Sequence, residues 1–559
     1  MSSVEALRRA EGRIPAPEAA SVAASSSGAA PVAYHGSAVA SGDFNADGIA
    51  DTVVASVGHG VQGISPRSGR ALVYYGGAVP SAPGVVLAGD ASPMARFGDA
   101  MSVLDFNIDG IDDLVVGAPG WSGWNTSHPE GSPFPLNGEP TYRTHGRVFV
   151  YLGHRTSGLL SGAPIVLSTA AVFAGLGTWL GAGDVSGDGH ADLILGSPMA
   201  DDYDGRVAVL ASSSARLAGT VLDVDVPGVA VLELTGKASG SDFGASRFGA
   251  AAAVLGAPAH TLLVGAPYSR EEPSCSEACA IVGRVYGFDL AALSRSSVGA
   301  TAPAATAPAA TASTATASSA TAGASMSTAA GSISLGHANT SAASFSVAGV
   351  DPLGLLGASL ATTEGLYRSG RVAIGVPGAG GSERTGKLAI LGETAVLALR
   401  GELSLANLSS IATVISGDAA QGRLGSTLLW ADLSAAGAPG LLATAPLQDA
   451  ARHFPSVEQR EVGGLFFWTA ADLPSAVRGG SAAPIASVST ATVTATATAS
   501  WVVQGQRSLG RLGASVALVV QPAPNRSCVL AGSPRASVRS PFVMQASGAA
   551  DVLCWDGAF

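Results

Sequence analysis

Aromatic residues make up only 6% of this 559-residue chain and charged residues 13%. A core with so few rings has to pack through Val, Leu, Ile and Ala. Cysteine is scarce as well, and four residues permit three pairings. Basic residues are scarce, 30 Lys and Arg against 41 Asp and Glu, and they form no cluster. The net charge of −11 makes nucleic acid and anionic membrane surfaces poor partners. Nine scattered histidines form no H-E-x-x-H or Cys/His spacing, so a zinc centre has no ligand set to build on. No apolar core follows Arg8–Arg9, so no signal peptide is visible at Met1. The uncharged stretch Ser157–Gly183 contains Pro164 and several glycines, and reads as two strands and a turn rather than a membrane span.

Glycine is abundant, with 73 residues, and part of it falls in an acidic nonapeptide that recurs three times. The copies are DFNADGIAD (Asp43–Asp51), DFNIDGIDD (Asp105–Asp113) and DVSGDGHAD (Asp184–Asp192). Positions 1, 3, 5 and 9 supply side-chain oxygen: Asp43, Asn45, Asp47 and Asp51, then Asp105, Asn107, Asp109 and Asp113, then Asp184, Ser186, Asp188 and Asp192. The residue at position 7 (Ile49, Ile111 or His190) adds a backbone carbonyl, and Gly48, Gly110 or Gly189 allows the sharp bend. An all-oxygen set suits calcium and does not suit zinc or copper. Each loop runs directly into TVVAS, DLVVG or DLILG, which read as strands, so the ion ties off a β-hairpin rather than an EF-hand. A metal-free Asx-turn hairpin is the alternative for one copy. Three copies in register weigh against it.

The loops sit inside a longer unit. It begins with Phe or Leu before a glycine (His35 in the first copy) and ends in G-A-P or a variant. Seven starting glycines, Gly36, Gly98, Gly177, Gly249, Gly357, Gly425 and Gly513, give units beginning near 34, 96, 175, 247, 355, 423 and 511. A further strand such as GRVFVYL at Gly146 follows each closing triplet, which makes about four strands per unit. One such sheet cannot bury both its faces alone, so the units must stack as a ring. This predicts an all-β fold, a seven-bladed β-propeller over 34–557 with calcium-binding hairpin loops. Residues 1–33 are low in large apolar residues and read as a disordered tail. The Ala/Thr/Ser tracts 294–330 and 483–500 read as low-complexity insertions. Pro31 cannot donate to a ladder, so unit one is expected to lack its outer strand or to borrow one from residues near Val552–Trp555.

A unit of this wording resembles the FG-GAP repeat of integrin α-chain heads and of glycosylphosphatidylinositol-specific phospholipase D. RFGDAMSVLDFNIDGIDDLVVGAP and LGAGDVSGDGHADLILGSP are more similar to the second family, and the likeness is strong over units one to four. In that family the chemistry lies in a separate zinc domain before the propeller, and no match to it occurs in this chain. The resemblance therefore implies a non-catalytic propeller module with about three Ca²⁺ sites. Its partner is a separate hydrolase domain or a protein or glycan ligand. An integrin-like adhesion propeller is the alternative. Calcium use and sequons at Asn125, Asn339, Asn407 and Asn525 point to an extracellular, secreted protein whose leader lies upstream of Met1. Local disulfides are expected within Cys275/Cys279 and within Cys528/Cys554, with four reduced thiols as the alternative.

Overall fold

This computed structural model describes residues 21–27, 33–60, 67–76, 84–89, 92–122, 144–160, 162–171, 173–236, 246–256, 260–271, 280–297, 336–363, 370–408, 410–417, 420–433, 439–447, 461, 463–469, 473, 501–504, 511–520, 526–535, 537–539, 544–546 and 548–556. Among them the strands form seven sheets of four or five strands and one two-stranded ribbon. The seven sheets are the blades of a β-propeller.

The second strand of each unit explains the blade geometry. Asp51–Ser56, Asp113–Ala118, Asp192–Ser197, Thr261–Ala266 and Arg371–Val376 are buried at every position. A strand with one wet face would alternate apolar and polar residues; these runs are apolar on both faces because a neighbouring blade covers each. In the third blade, Leu193 and Leu195 pack toward the second blade, whereas Ile194 packs toward the fourth. Seven apolar clusters result, one in each gap between adjacent blades.

The strands run outward from the axis in chain order. Blade one is His35–Gly42, Asp51–Ser56, Ala71–Tyr74 and Val85–Leu87. Blade two is Met101–Leu104, Asp113–Ala118, Arg147–Tyr151 and Ile165–Ser168. Blade three is Trp179–Gly183, Asp192–Ser197, Arg206–Leu210 and Leu232–Thr235. Blade four ends on Phe345–Ala348, blade five on Ala412–Ser416 and blade six on Trp501–Gln504. The outer edges of blades two, three and four each gain a parallel fifth strand, Val221–Asp223, Gly336–Asn339 and Gly401–Ser404. Each of these comes from the next blade's connection between its third and fourth strands, and it covers an otherwise open edge.

Two expectations are corrected. The apolar run before each starting glycine belongs to the preceding blade, as Val85–Leu87 shows by pairing with Ala71–Val73. Unit one therefore has its four strands, and the run that precedes it completes blade seven. That run is Ser21–Ser27, inside the segment read as a disordered tail. It pairs antiparallel with Ala549–Cys554 and is the outermost strand of the blade formed by Ser515–Val520, Arg526–Ser533 and Ala549–Asp556. The ring is thus closed by pairing the two ends of the chain. Its serines and alanines carry no strand signal; the open edge of Ala549–Asp556 supplies the partners.

The motif glycines show how blades meet. The residue before each starting glycine bridges the glycine that opens the third strand of the previous blade: Phe97 to Gly69, Leu176 to Gly146, Phe248 to Gly205, and so on to His35 with Gly548. Each G-A-P glycine lies against the next unit's starting glycine. A Cβ on Gly117 would collide with the carbonyl oxygen of Gly177, and one on Gly532 with that of Gly36. Only glycine allows backbones this close.

The first tract overlaps a short helix, Leu290–Ser297, at its start; the rest of it, and the whole of 483–500, lie outside the described residues. Ser157–Gly183 contains the strand Ile165–Ser168 and the strand Trp179–Gly183. Among the described residues no helix is long and apolar enough to cross a membrane.

Candidate metal centre

The three acidic loops connect first and second strands in blades one, two and three, so all three open on one face of the ring. Their backbone is strained in the same way. Position 4 is left-handed in each (Ala46, φ 53°; Ile108, φ 57°; Gly187, φ 79°), as is the glycine at position 6 (φ 83°, 80° and 90°). The motif foretold the second bend and not the first, because Ala and Ile carry no turn signal.

Position 1 gathers the loop. Asp43 Oδ1 accepts the N–H of Asp47 at 3.1 Å and its Oδ2 that of Gly48 at 2.8 Å. Asp105 accepts from Asp109 and Gly110 at 2.9 and 2.8 Å, and Asp184 from Gly187, Asp188 and Gly189 at 2.7, 3.1 and 3.0 Å. Asp47, Asp109 and Asp188 at position 5 each accept the N–H of the position-7 residue, Ile49, Ile111 or His190. Asn45 Oδ1 shares the Asp47 N–H with Asp43, at 3.0 Å.

Position 9 behaves differently. Asp51, Asp113 and Asp192 are fully buried. One oxygen of each accepts the N–H at position 2 (Phe44, 3.0 Å; Phe106, 2.8 Å; Val185, 3.0 Å). The other accepts from the end of the third strand (Gly76, 2.8 Å; Gly153, 2.7 Å; Ser212, 3.3 Å). Burial pushes these carboxyls up, Asp51 and Asp192 to about 6 and Asp113 to about 7, against the pull of the backbone hydrogen bonds. They anchor the loop to its blade. Gly76, Gly153 and Ser212 escaped the sequence reading, yet they share a signal: a small residue six positions after Arg70, Arg147 and Arg206.

The donor set fits a hard cation. Positions 1, 3 and 5 offer only oxygen, and in loops one and two each position-1 carboxylate oxygen accepts one amide and keeps a lone pair beyond it, whereas Asp184 Oδ1 in loop three accepts two. Asn107 Oδ1 is buried without a hydrogen-bond partner, while Asn107 Nδ2 donates to Asp109 Oδ2 at 2.9 Å. A buried amide oxygen left unpaired costs about 1–3 kcal/mol unless a ligand or ion completes it. With the carboxylates turned to their own amides, no group of three acidic or histidine side chains among the described residues stands gathered for a metal. Asn107 is therefore the observation that points to an ion.

Residues 97–131 and 176–210, which hold loops two and three, match the FG-GAP repeat. Blades two and three of this β-propeller carry FG-GAP repeats. Over 179 residues the chain is 37% identical to phosphatidylinositol-glycan-specific phospholipase D of Homo sapiens, an alignment covering 30% of this chain and 19% of that protein. The Rattus norvegicus protein of that name is 33% identical over 277 residues, covering 46% of this chain and 30% of the relative. Integrin alpha-5 of Xenopus laevis is 30% identical over 196 residues, 34% of this chain and 17% of that one. The aligned parts span less than a third of each relative's length.

The opposite face carries different features. Met94, Phe173 and Leu353, each four residues before a starting glycine, stand half-exposed with φ of 61°, 59° and 57°. Nearby, Arg206 pairs with Asp225 at 2.9 Å and Glu233 at 3.2 Å beside a polar hollow lined also by Ala170 and Ala171. Cys528 is disulfide-bonded, and its cross-strand register partner is Cys554; Cys275 and Cys279 lie outside the described residues.

Proposed function

We propose that this chain is a non-catalytic, calcium-stabilised propeller module that docks on, or presents substrate to, a hydrolase domain of the phosphatidylinositol-glycan-specific phospholipase D type. Calcium is held by Asp43, Asn45, Asp47, the Ile49 carbonyl and Asp51, and by the corresponding five residues of loops two and three. The unpaired Asn107 Oδ1, inside a loop that recurs in three adjacent blades, carries this reading. Loops of this kind in extracellular modules bind calcium with dissociation constants of about 10⁻⁴–10⁻³ M, which suits a secreted setting. An exposed sequon at Asn407 and a disulfide at Cys528 agree with that route. Asn125 and Asn525 lie outside the described residues. Calorimetric titration of the purified chain should give about three calcium ions per molecule. The same preparation should leave a lipid-anchored protein uncleaved, since hydrolysis of this kind needs an activated water or nucleophile. Release of the anchor by the pure chain, abolished by a zinc chelator, would show the non-catalytic reading wrong.

A second reading, an integrin-like protein-binding propeller, is favoured by one observation. Three large apolar side chains, Met94, Phe173 and Leu353, are held outward on strained backbone on the face away from the loops. Strain of this type, on the order of 1 kcal/mol per residue, often marks a recognition surface.

A further inference from the structure

We infer that the three loops fill with calcium as one coupled array rather than as independent sites, an inference that rests on the calcium reading above. Loop two reaches loop one by two routes. Asp112, at position 8 and outside the ligand set, accepts the N–H of Asp43 at 2.8 Å. Asp113 holds Gly153, and the next residue, His154, donates its N–H to the Phe44 carbonyl at 3.0 Å. Phe44 follows the first ligand of loop one. Loop three reaches loop two by the second route alone: Asp192 holds Ser212, and Ser213 donates to the Phe106 carbonyl at 3.0 Å. The relay stops there. In blade four, whose unit has no acidic loop, Leu290 stands where Gly153 and Ser212 stand and donates to the His260 carbonyl of its own blade at 3.1 Å, and Ala291, in the place of His154 and Ser213, follows it.

The links set the physics. A cation on loop two fixes Asp113 and with it Gly153 and His154, so the backbone on both sides of Asp43 is ordered before loop one binds. The second ion then loses less conformational freedom, which is positive coupling, and coupling between sites is reciprocal. Loop one, tied twice to loop two, should depend on it more than loop three does. Asp112 does no binding of its own in this scheme; it positions the first ligand of its neighbour.

Hydrogen-exchange mass spectrometry at graded free calcium separates the loops, because each lies in its own peptide. The wild-type chain should protect all three loops at one shared midpoint. Asp109→Ala, which removes a ligand from loop two, should raise the loop-one midpoint by about fivefold or more. Asp112→Ala should do the same to loop one with every loop-two ligand intact, whereas Asp112→Asn, which keeps an acceptor for the Asp43 N–H, should stay near wild type. Unchanged exchange in Ala373–Leu391 and Leu428–Ala443 certifies that each variant is folded. A loop-one midpoint unmoved by both Asp109→Ala and Asp112→Ala overturns the coupling and leaves the calcium reading standing. Equal shifts with Asp112→Asn and Asp112→Ala reduce the link to charge and overturn the relay. Absence of calcium-dependent protection in every wild-type loop removes the calcium reading itself.

Discussion

His35 occupies the place that Phe or Leu holds in the other six units, and it sits at the closing seam between the first and last blades. It is fully buried, with Nδ1 2.8 Å from Ser56 Oγ. Burial, and then the nearby Arg70 charge, lowers its pKa from 6.5 to about 4. The sign follows from the neutral form being kept in the fold. Stability is complete above about pH 6.5 and is lost as pH falls toward 4, because the unfolded chain takes up a proton that the folded chain refuses. The full loss from this group is on the order of 3 kcal/mol. His35→Leu should flatten the acid limb of a stability-versus-pH curve. At pH 7.5 it should cost only about 1 kcal/mol, for the Ser56 hydroxyl left unpaired. Glycines sort by a second residue-scale rule. Gly110 has a φ of 80° but open space around its Cβ direction, so Gly110→Ala should cost about 1 kcal/mol. Gly117 faces the Gly177 backbone, so Gly117→Ala should cost about 3 kcal/mol or more by urea denaturation. The acidic motif and its hinge glycine were legible in the sequence because their chemistry is local. The buried anchoring of Asp51, Asp113 and Asp192 was not, because their amide partners lie 25, 40 and 20 residues away.

At the scale of the element, strands two and three of each unit stood out as apolar runs flanked by glycine. The outer strands are legible too, but the sequence places them in the wrong blade. Sequence proximity to the next starting glycine suggested one partner, and the ladder chose the other. Ser21–Ser27 was missed altogether, since SVAASSS has neither period nor β-branched content beyond one valine. Its pairing with Ala549–Cys554 makes a clear prediction. Removing residues 1–30 leaves the edge of Ala549–Asp556 unpaired, and such edges template association. The truncated chain should melt several degrees lower and show faster amide exchange in Ala549–Val552 than the full chain. An unchanged melt and unchanged exchange would mean that the terminal strand does not hold the ring. Blade one, with Ala71–Val73 paired on both sides, should be protected as well as Arg147–Tyr151 in blade two.

For the whole molecule, the seven clusters between blades make stability a property of neighbours, and the ring has no end at which to fray. Seven starting glycines announced this architecture, and closure by the N-terminal strand completes it. The acidic loops lie in blades one to three, so under the proposed function calcium bound there braces one arc of the ring, next to the closing seam. At about 1 mM free calcium and a dissociation constant near 0.1 mM, each occupied site adds roughly 1.4 kcal/mol. Scanning calorimetry of the chain in calcium and then in excess chelator tests this most directly. The melting temperature should fall by several degrees on chelation and return when calcium is restored. Asp43→Ala, Asp105→Ala and Asp184→Ala combined should melt low in both conditions. A wild-type melt that chelator leaves unmoved would contradict the account.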